Sequence, residues 1–200
     1  MATGYNCSPV NGSSVCTTIC GDGIRLSGEQ CDNGNQTGCV NCATAIGYTC
    51  SSVNVTSVCS SVCGDGILVT GEQCDNGNHT GCLNCIVVAG YTCVPVNGSS
   101  VCSTICGDGI LLAGEQCDNG NQTGCINCGV VTGYNCQPIG GSSVCTTICG
   151  DGIRLAGEQC DNGNQSGCVN CTIVTGFSCT PVNTTTVCTP VCGDGIFVAG

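Results

Sequence analysis

A cysteine-rich segment recurs along this chain with a strict period of 43 residues. Its first complete copy, at residues 20–35, reads CGDGIRLSGEQCDNGN, and the segment begins again at Cys63, Cys106, Cys149 and Cys192. No insertion or deletion interrupts the period. An array this regular is typical of repeat proteins, in which every unit meets its neighbours in the same way.

The period divides the chain into four complete repeats between two partial ones. The predicted boundaries are 1–19 (partial), 20–62, 63–105, 106–148, 149–191 and 192–200 (partial). No basic-then-apolar leader is visible at the start. We therefore expect the chain to be a window of a longer secreted array, with the odd number of cysteines explained by the incomplete fifth repeat.

The number of cysteines predicts how so small a unit is stabilised. Cysteine accounts for 27 of the 200 residues, whereas aromatic residues make up only 3% and tryptophan is absent. A short unit with so few large apolar side chains needs covalent cross-links, and disulfides form in oxidising compartments. We expect a small disulfide-rich fold of short β-hairpins and loops, arranged as a linear tandem repeat in an elongated rod or filament.

One turn signal allows a prediction of disulfide pairing. Asn11-Gly12 separates two β-prone stretches, as expected for a two-residue hairpin loop. Val10 then faces Ser13, and Cys7 faces Cys16. The six cysteines of a repeat allow fifteen pairings, and bonds between repeats stay open. The hairpin register predicts five disulfides: Cys7–Cys16, Cys50–Cys59, Cys93–Cys102, Cys136–Cys145 and Cys179–Cys188.

Aromatic and aliphatic residues also recur with the period. The aromatic position follows a glycine each time, and we expect its ring to pack against a disulfide or the next repeat. The aliphatic residues Val10, Ile24 and Val40 are expected at interfaces between repeats. The aromatic residues are Tyr5, Tyr48, Tyr91, Tyr134 and Phe177.

All 13 acidic residues fall in three columns of the repeat, whereas only two residues are basic. So few basic residues argue against nucleic acid or an anionic membrane as partner. Carboxylates gathered in a Gly- and Asn-rich loop suit Ca²⁺, provided that a bond between Cys20 and Cys31, or a hairpin, brings them face to face. The alternative is that the aspartates cap turns and the glutamate is solvated. The candidate calcium ligands are Asp22, Glu29, Asp32, Asp65, Glu72, Asp75, Asp108, Glu115, Asp118, Asp151, Glu158 and Asp161.

Glycosylation is predicted from two columns of Asn-x-Ser/Thr motifs. One column lies in the Gly-rich half of the repeat, and the other lies at the predicted hairpin tip, where Gly140 interrupts it. Sugars would also explain how a chain with so few charges stays in solution. The alternative is that these are unmodified polar turns. The candidate acceptors are Asn35, Asn78, Asn121 and Asn164 in the first column, and Asn11, Asn54, Asn97 and Asn183 in the second.

Catalysis, zinc binding and membrane insertion lack support in the sequence. A catalytic group would have to break the repeat, and no residue does so in a way that adds a nucleophile or base. His79 is the only histidine and occupies the variable middle position of a glycosylation motif. No run of 18 apolar residues exists, so we predict no membrane span in this segment.

The motif Cys-Gly-Asp-Gly-Ile, followed by Gly-Glu-Gln-Cys-Asp-Asn-Gly-Asn and by Gly-Tyr-Thr-Cys, resembles the Myxococcus-type cysteine-rich repeat (the DUF4215 group). That group is distantly similar to Lin-12/Notch repeats. The resemblance covers the whole chain and implies extracellular, disulfide-bonded, non-enzymatic modules. This chain lacks two acids of the group's usual pattern, where it has Cys31-Asp32-Asn33-Gly34-Asn35, and this weakens a calcium site inferred from the group.

These observations favour a secreted or cell-surface structural glycoprotein that self-assembles with identical repeats or chains. Copies differ mainly by Ser/Thr/Ala and Val/Ile/Leu exchanges, whereas binding arrays tend to vary exposed positions. The alternative is the ligand-binding or adhesive stalk of a surface receptor or protist surface antigen.

Overall fold

The computed structural model describes residues 3–198, which form eighteen short strands and no helix. No helical segment of the described chain is therefore available to cross a membrane. The first strand pairs with the second, the third with the fourth, and so on along the chain, and each pair forms a separate two-stranded antiparallel sheet. The predicted class, an all-β array of small disulfide-bonded hairpins repeating about every 43 residues, is confirmed.

Long hairpins of two six-residue strands alternate with short hairpins of two-residue strands. The long hairpins are β1 (Tyr5–Val10) with β2 (Ser13–Thr18), β5 (Tyr48–Val53) with β6 (Thr56–Ser61), β9 (Tyr91–Val96) with β10 (Ser99–Thr104), β13 (Tyr134–Ile139) with β14 (Ser142–Thr147), and β17 (Phe177–Val182) with β18 (Thr185–Pro190). The short hairpins are β3 (Cys39–Val40) with β4 (Ala43–Thr44), β7 (Cys82–Leu83) with β8 (Ile86–Val87), β11 (Cys125–Ile126) with β12 (Gly129–Val130), and β15 (Cys168–Val169) with β16 (Thr172–Ile173).

The first long hairpin has the register that its turn residues predict. Asn11 and Gly12 both have positive φ, 48° and 78°, as a type I′ turn requires. Val10 pairs with Ser13, and Cys7 pairs with Cys16, to which a disulfide joins it. The other four long hairpins carry the same cross-strand bond, between Cys50 and Cys59, Cys93 and Cys102, Cys136 and Cys145, and Cys179 and Cys188.

Two further disulfides close the Gly- and Asp-rich segment of each complete repeat, which we call the core loop (20–42, 63–85, 106–128 and 149–171). In the first core loop Cys31–Cys39 lies within the chain segment closed by Cys20–Cys42. Among the described residues only Cys192 is unpaired, and it aligns with Cys20. The equivalent bonds are Cys63–Cys85, Cys74–Cys82, Cys106–Cys128, Cys117–Cys125, Cys149–Cys171 and Cys160–Cys168.

The interior of each repeat consists of sulfur and polar groups instead of aliphatic side chains. Cys31 and Asp32 are 0% and 1% exposed. The sulfur of Cys31 lies within 4.8 Å of the sulfurs of Cys50 and Cys59, so a core-loop disulfide packs on the disulfide of the following hairpin. With so little aliphatic burial, covalent bonds and hydrogen bonds must hold the unit together.

A glycine and an aromatic ring form the contact between core loop and hairpin. A Cβ on Gly38 would lie 2.8 Å from the ring of Tyr48 and 2.7 Å from the Cβ of Cys59, so only glycine fits. The Tyr48 hydroxyl donates a hydrogen bond to the carbonyl of Thr70 in the next repeat (3.2 Å). The ring therefore contacts both a disulfide-bonded cysteine and the next repeat. The other pairs are Gly81 with Tyr91, Gly124 with Tyr134, and Gly167 with Phe177.

The chain divides into two compact units, Met1–Ser103 and Thr104–Gly200. In the first unit, the hairpin of β5 and β6 contacts the core loop at 20–42 and the core loop at 63–85, where Gly47 lies against Val69. In the second unit, the hairpin of β13 and β14 contacts 106–128 and 149–171 in the same way. Each of these hairpins contacts two core loops, so the contacts do not show to which repeat a hairpin belongs. The predicted repeat boundaries therefore stay a prediction.

Two of the three aliphatic columns expected at repeat interfaces are exposed instead. Val10 is 47% exposed, because side chains alternate along a strand and Val10 points away from the face that carries Cys7. Val40 is 59% exposed on a short hairpin too small to bury it. The third column agrees better with the expected place at an interface between repeats. Ile67, the counterpart of Ile24, lies beside Gly47 of the preceding repeat.

Candidate functional sites: the acidic core loop and the sequon asparagines

Asp32 lies in the core loop, where three backbone amides point at its carboxylate. Gly21 N–H donates to Oδ2 (2.7 Å), and the amides of Gly23 and Gly34 donate to Oδ1 (2.8 and 3.1 Å). Gly21 and Gly23 have positive φ, 89° and 83°, which lets nearby amides converge on one anion. The same bonds form at Asp75, Asp118 and Asp161.

These amides determine the charge state of Asp32. Burial acts to raise the pKa of Asp32, but the hydrogen bonds from Gly34, Gly21 and Gly23 together hold that pKa below its ordinary value of 3.8. The folded state therefore stabilises the ionised carboxylate. The pKa values of Asp75, Asp118 and Asp161 are lowered by the same balance of burial and amide hydrogen bonds.

The other two acidic columns cap separate turns. Asp22 is exposed, and its Oδ1 accepts a hydrogen bond from the amide of Ile24 (2.9 Å), as in an Asx turn. Glu29 is 5% exposed, and its Oε2 accepts the amide of Leu26 (2.7 Å). Each acidic column thus has its own backbone partner within the core loop.

The candidate calcium ligands do not converge in the described residues. Cys20 bonds Cys42 and not Cys31, and residues 19–38 form no strand, so neither the disulfide nor the hairpin that would make Asp22 and Glu29 face each other is present. No described group of His, Cys, Asp or Glu ligand atoms within 4.8 Å contains both Asp22 and Asp32. Calcium prefers six to eight oxygen ligands, whereas the oxygens of Asp32 face N–H donors. This geometry favours the turn-capping alternative, and calcium binding stays a prediction.

Glu29 has a second feature that the sequence did not indicate. Its Oε1 is buried and has no hydrogen-bond partner among the described residues. A carboxylate oxygen of Glu29 also lies within 4.8 Å of the sulfurs of Cys20 and Cys42. Because those sulfurs are bonded to each other, they are not free thiolate ligands for a metal. The equivalent groups are Glu72 with Cys63 and Cys85, Glu115 with Cys106 and Cys128, and Glu158 with Cys149 and Cys171.

The sequon asparagines of the core loop are exposed, and three of the four donate a side-chain hydrogen bond. Asn35 has a φ of 63°, and its side chain lies so close to Gly21 that any Cβ there would collide with it. In the next three repeats the asparagine Nδ2 donates to a glycine carbonyl, at 3.3, 3.0 and 3.1 Å for Asn78, Asn121 and Asn164. Asparagine tolerates the left-handed conformation better than most residues, so it has a structural role here besides any glycosylation.

The sequon asparagines at the hairpin tips are exposed, and none of them makes a side-chain hydrogen bond within residues 3–198. Their φ values lie between 48° and 55°: Asn11, Asn54, Asn97 and Asn183. The hydroxyl of the motif is used structurally, since Thr56 donates to the carbonyl of Asp32 (3.0 Å). Where Gly140 replaces the asparagine, Ser142 is retained and donates to the carbonyl of Asp118 (3.0 Å). The tip asparagines are thus the less constrained of the two columns.

The sequence did not predict the structural roles of two polar positions, one of which, Asn33, offers a side-chain oxygen that suits calcium. Asn33 is 7% exposed, and its Nδ2 donates to the carbonyls of Gln36 and Thr37 (3.1 and 2.9 Å). Ser57 is 5% exposed and accepts the amide of Asp32 on its Oγ (3.0 Å). Both positions are constant in type, asparagine at the first and serine or threonine at the second, in every copy of the repeat that contains them. This constancy of residue type between repeats is the sequence signal that indicates a structural role for both positions.

Comparison with known proteins agrees with this repeat architecture. A search of curated proteins found no match. One family model matches three overlapping stretches of the chain, residues 2–51, 39–94 and 82–137, which together cover more than half of it. The stretches are of similar length and follow one another at 37 and 43 residues, close to the period of the cysteines. The chain therefore belongs to the family described as Domain of unknown function (DUF4215), a family of cysteine-rich, disulfide-bonded repeats.

Proposed function

We propose that this chain is part of a structural extracellular glycoprotein whose tandem repeats build a fibre, a sheath or a surface stalk. Its disulfides indicate an oxidising environment, since they pair all described cysteines except Cys192. The proposal assigns no catalytic role to the chain. Its assembly partners are identical repeats or chains.

The observation that carries the proposal is the junction between core loop and hairpin. The amide of Ser57 donates to the carbonyl of Asp32 in the preceding core loop (2.7 Å), while Gly47 lies against Val69 in the following one. Ser143 with Asp118 and Gly133 with Leu155 repeat both contacts. A hairpin fixed on both sides leaves no flexible linker between the two core loops. One junction repeated without closing on itself generates an open filament.

The glycoprotein part of the proposal rests on the exposed tip asparagines. Asn54 and Asn97 are exposed, in left-handed conformation and without side-chain hydrogen bonds to described residues. Their Nδ2 atoms are therefore accessible to a transferred sugar. Glycans at these positions would hydrate hairpins that carry no charged residue.

Small-angle X-ray scattering and electron microscopy of the secreted, unreduced chain test the structural proposal. A compact chain of this length has a radius of gyration of about 16 Å, and we expect a much larger value and rod-shaped particles. Extended particles that associate end to end or side by side support the filament. Extended particles that stay monomeric at all concentrations favour the alternative, a ligand-binding or adhesive stalk. A radius near the compact value overturns both.

Enzymatic deglycosylation in heavy-oxygen water tests the glycosylation. The chain is secreted from a eukaryotic host, and each occupied asparagine becomes an ¹⁸O-labelled aspartate that mass spectrometry locates. We expect label at Asn54 and Asn97, and the variant Asn97→Gly to lose one site and keep the turn, because Gly140 holds that position in another repeat. Absence of label at all eight candidates contradicts the glycoprotein.

A further inference from the structure

Every complete repeat places a glutamate with a buried carboxylate oxygen, Oε1, beside a disulfide that begins at an exposed cysteine. In the first repeat a carboxylate oxygen of Glu29 lies within 4.8 Å of both sulfurs of Cys20–Cys42, and Cys20 is exposed. Oε2 of Glu29 accepts the amide of Leu26, but Oε1 has no hydrogen-bond partner among the described residues. A buried acceptor without a partner destabilises a fold. The recurrence of this arrangement in four repeats needs a reason other than stability.

The disulfides of a repeat differ in how they are protected from thiols. Cys31 is 0% exposed, so the Cys31–Cys39 bond is shielded at its first residue, and Cys39 is half-buried. The Cys20–Cys42 bond lacks this shielding at its first residue, because Cys20 is exposed. Cys63, Cys106 and Cys149 are exposed in the same way. Both cysteines of the hairpin bond Cys50–Cys59 are half-buried. If access alone set the rate of reduction, the bond that begins at the exposed cysteine would therefore be the most vulnerable bond of each repeat.

We propose that the Glu29 carboxylate protects the Cys20–Cys42 disulfide from thiols by electrostatic repulsion. An attacking thiolate forms a bond to the sulfur of Cys20, the bond between the two cysteines breaks, and Cys42 leaves as a thiolate with the electron pair. A second thiolate then cleaves the mixed disulfide. Two small thiols are oxidised to one disulfide, the two cysteines are reduced, and the protons exchange with water.

The negative charge in this reaction develops on the sulfurs that face Glu29. It is shared by the attacking, central and leaving sulfurs in the transition state, and it rests on a cysteine sulfur afterwards. Glu29 is 5% exposed, so salt screens its charge less than it would screen an exposed carboxylate. Two unit charges about 5 Å apart repel enough, even with the dielectric constant of bulk water, to slow a reaction about fourfold.

The variant Glu29→Gln tests the proposal, because glutamine keeps an oxygen for the amide of Leu26 and removes only the charge. The whole chain, unreduced, is treated with reduced glutathione, free thiols are alkylated at intervals, and peptide mapping by mass spectrometry follows each disulfide. We expect Cys20–Cys42 to be reduced about fourfold faster or more than in the parent chain. Cys63–Cys85 in the same molecule, beside an unchanged Glu72, should keep its rate.

Two controls separate charge from loosened structure. Asp22→Asn makes the same charge change at an exposed carboxylate, and we expect it to alter the rate much less. An uncharged phosphine reductant brings no negative charge to the disulfide, so Glu29→Gln should change its rate little. Three results would overturn the proposal. Glu29→Gln could leave the rate of reduction by glutathione unchanged, or Asp22→Asn could raise that rate as much as Glu29→Gln does. Glu29→Gln could also raise the rate of reduction by the phosphine as much as the rate by glutathione.

Discussion

Asp32 and Ser57 exchange two hydrogen bonds at the junction between a core loop and the hairpin that follows it. The amide of Ser57 donates to the Asp32 carbonyl (2.7 Å), and the amide of Asp32 donates to Ser57 Oγ (3.0 Å). Both residues are at least nine-tenths buried. The carboxylate of Asp32 also accepts hydrogen bonds from the glycine amides of the core loop. Asp32 therefore both stabilises the fold of the core loop and joins the core loop to the hairpin.

Replacing Ser57 by alanine should weaken this junction. The amide of Asp32 would lose its partner in a buried position, which destabilises a protein by about 1–3 kcal/mol. Guanidinium unfolding of the unreduced chain should show the loss, and hydrogen exchange at the Asp32 amide should accelerate. Ser57→Thr should behave like the parent, because Thr186 makes the equivalent bond to Asp161. Ser60→Ala, at an exposed position of the same strand, is the control. Unchanged exchange in Ser57→Ala would contradict the role of this hydroxyl.

Stability should fall in acid because of Asp32 and its counterparts. Amide hydrogen bonds hold the pKa of Asp32 below 3.8, so the ionised carboxylate stabilises the folded state at every pH above that value. The stabilisation is lost as the pH falls from 3.8 through the lower pKa of the folded state. Unfolding at a series of pH values should show this decline, and a stability that rises toward pH 2 would refute it.

Asp32→Asn isolates the contribution of one carboxylate. At neutral pH the variant should be less stable by about 1–3 kcal/mol, since the asparagine amide would face the N–H of Gly21 and leave it unpaired. Its stability should also depend less on pH than that of the parent chain. Asp22→Asn, which removes an exposed carboxylate with one backbone partner, should cost less. Equal losses of stability in the two variants would contradict the claim that its three amide hydrogen bonds make the Asp32 carboxylate more important for stability than that of Asp22.

The sequence predicted local features of this fold better than contacts between its parts. The Asn11-Gly12 turn determines strand pairing over a few residues, and the partner of Cys7 follows from it. The pairs Cys20–Cys42 and Cys31–Cys39 depend on how a loop without regular structure folds back, and spacing alone leaves fifteen pairings open. Val10 is exposed, contrary to the prediction, because a two-stranded sheet buries one face at most.

Asparagine at the hairpin tips is expected to matter for the turn whether or not it carries a glycan. Asn97 has a φ of 50° and precedes Gly98. Asn97→Gly should leave the stability of the chain within about 0.5 kcal/mol of the parent, whereas Asn97→Val should lower it by about 1–2 kcal/mol, because a β-branched residue resists positive φ. Chain produced in a host without glycosylation is used, so that only the turn is measured. Equal stability of the two variants would contradict the conformational role.

Gly38 and Gly28 separate the two reasons for which glycine occurs in the core loop. Both have positive φ, 92° and 101°, so alanine is strained at either position. A Cβ at Gly28 would meet no atom of residues 3–198 within 4 Å beyond its chain neighbours, whereas a Cβ at Gly38 would overlap the ring of Tyr48 and the Cβ of Cys59. Gly38→Ala should therefore lower the free energy of unfolding by about 1–3 kcal/mol more than Gly28→Ala, the usual cost of overpacking. Hydrogen exchange in β5 and β6 should accelerate only in Gly38→Ala, and equal effects would show that strain alone selects glycine here.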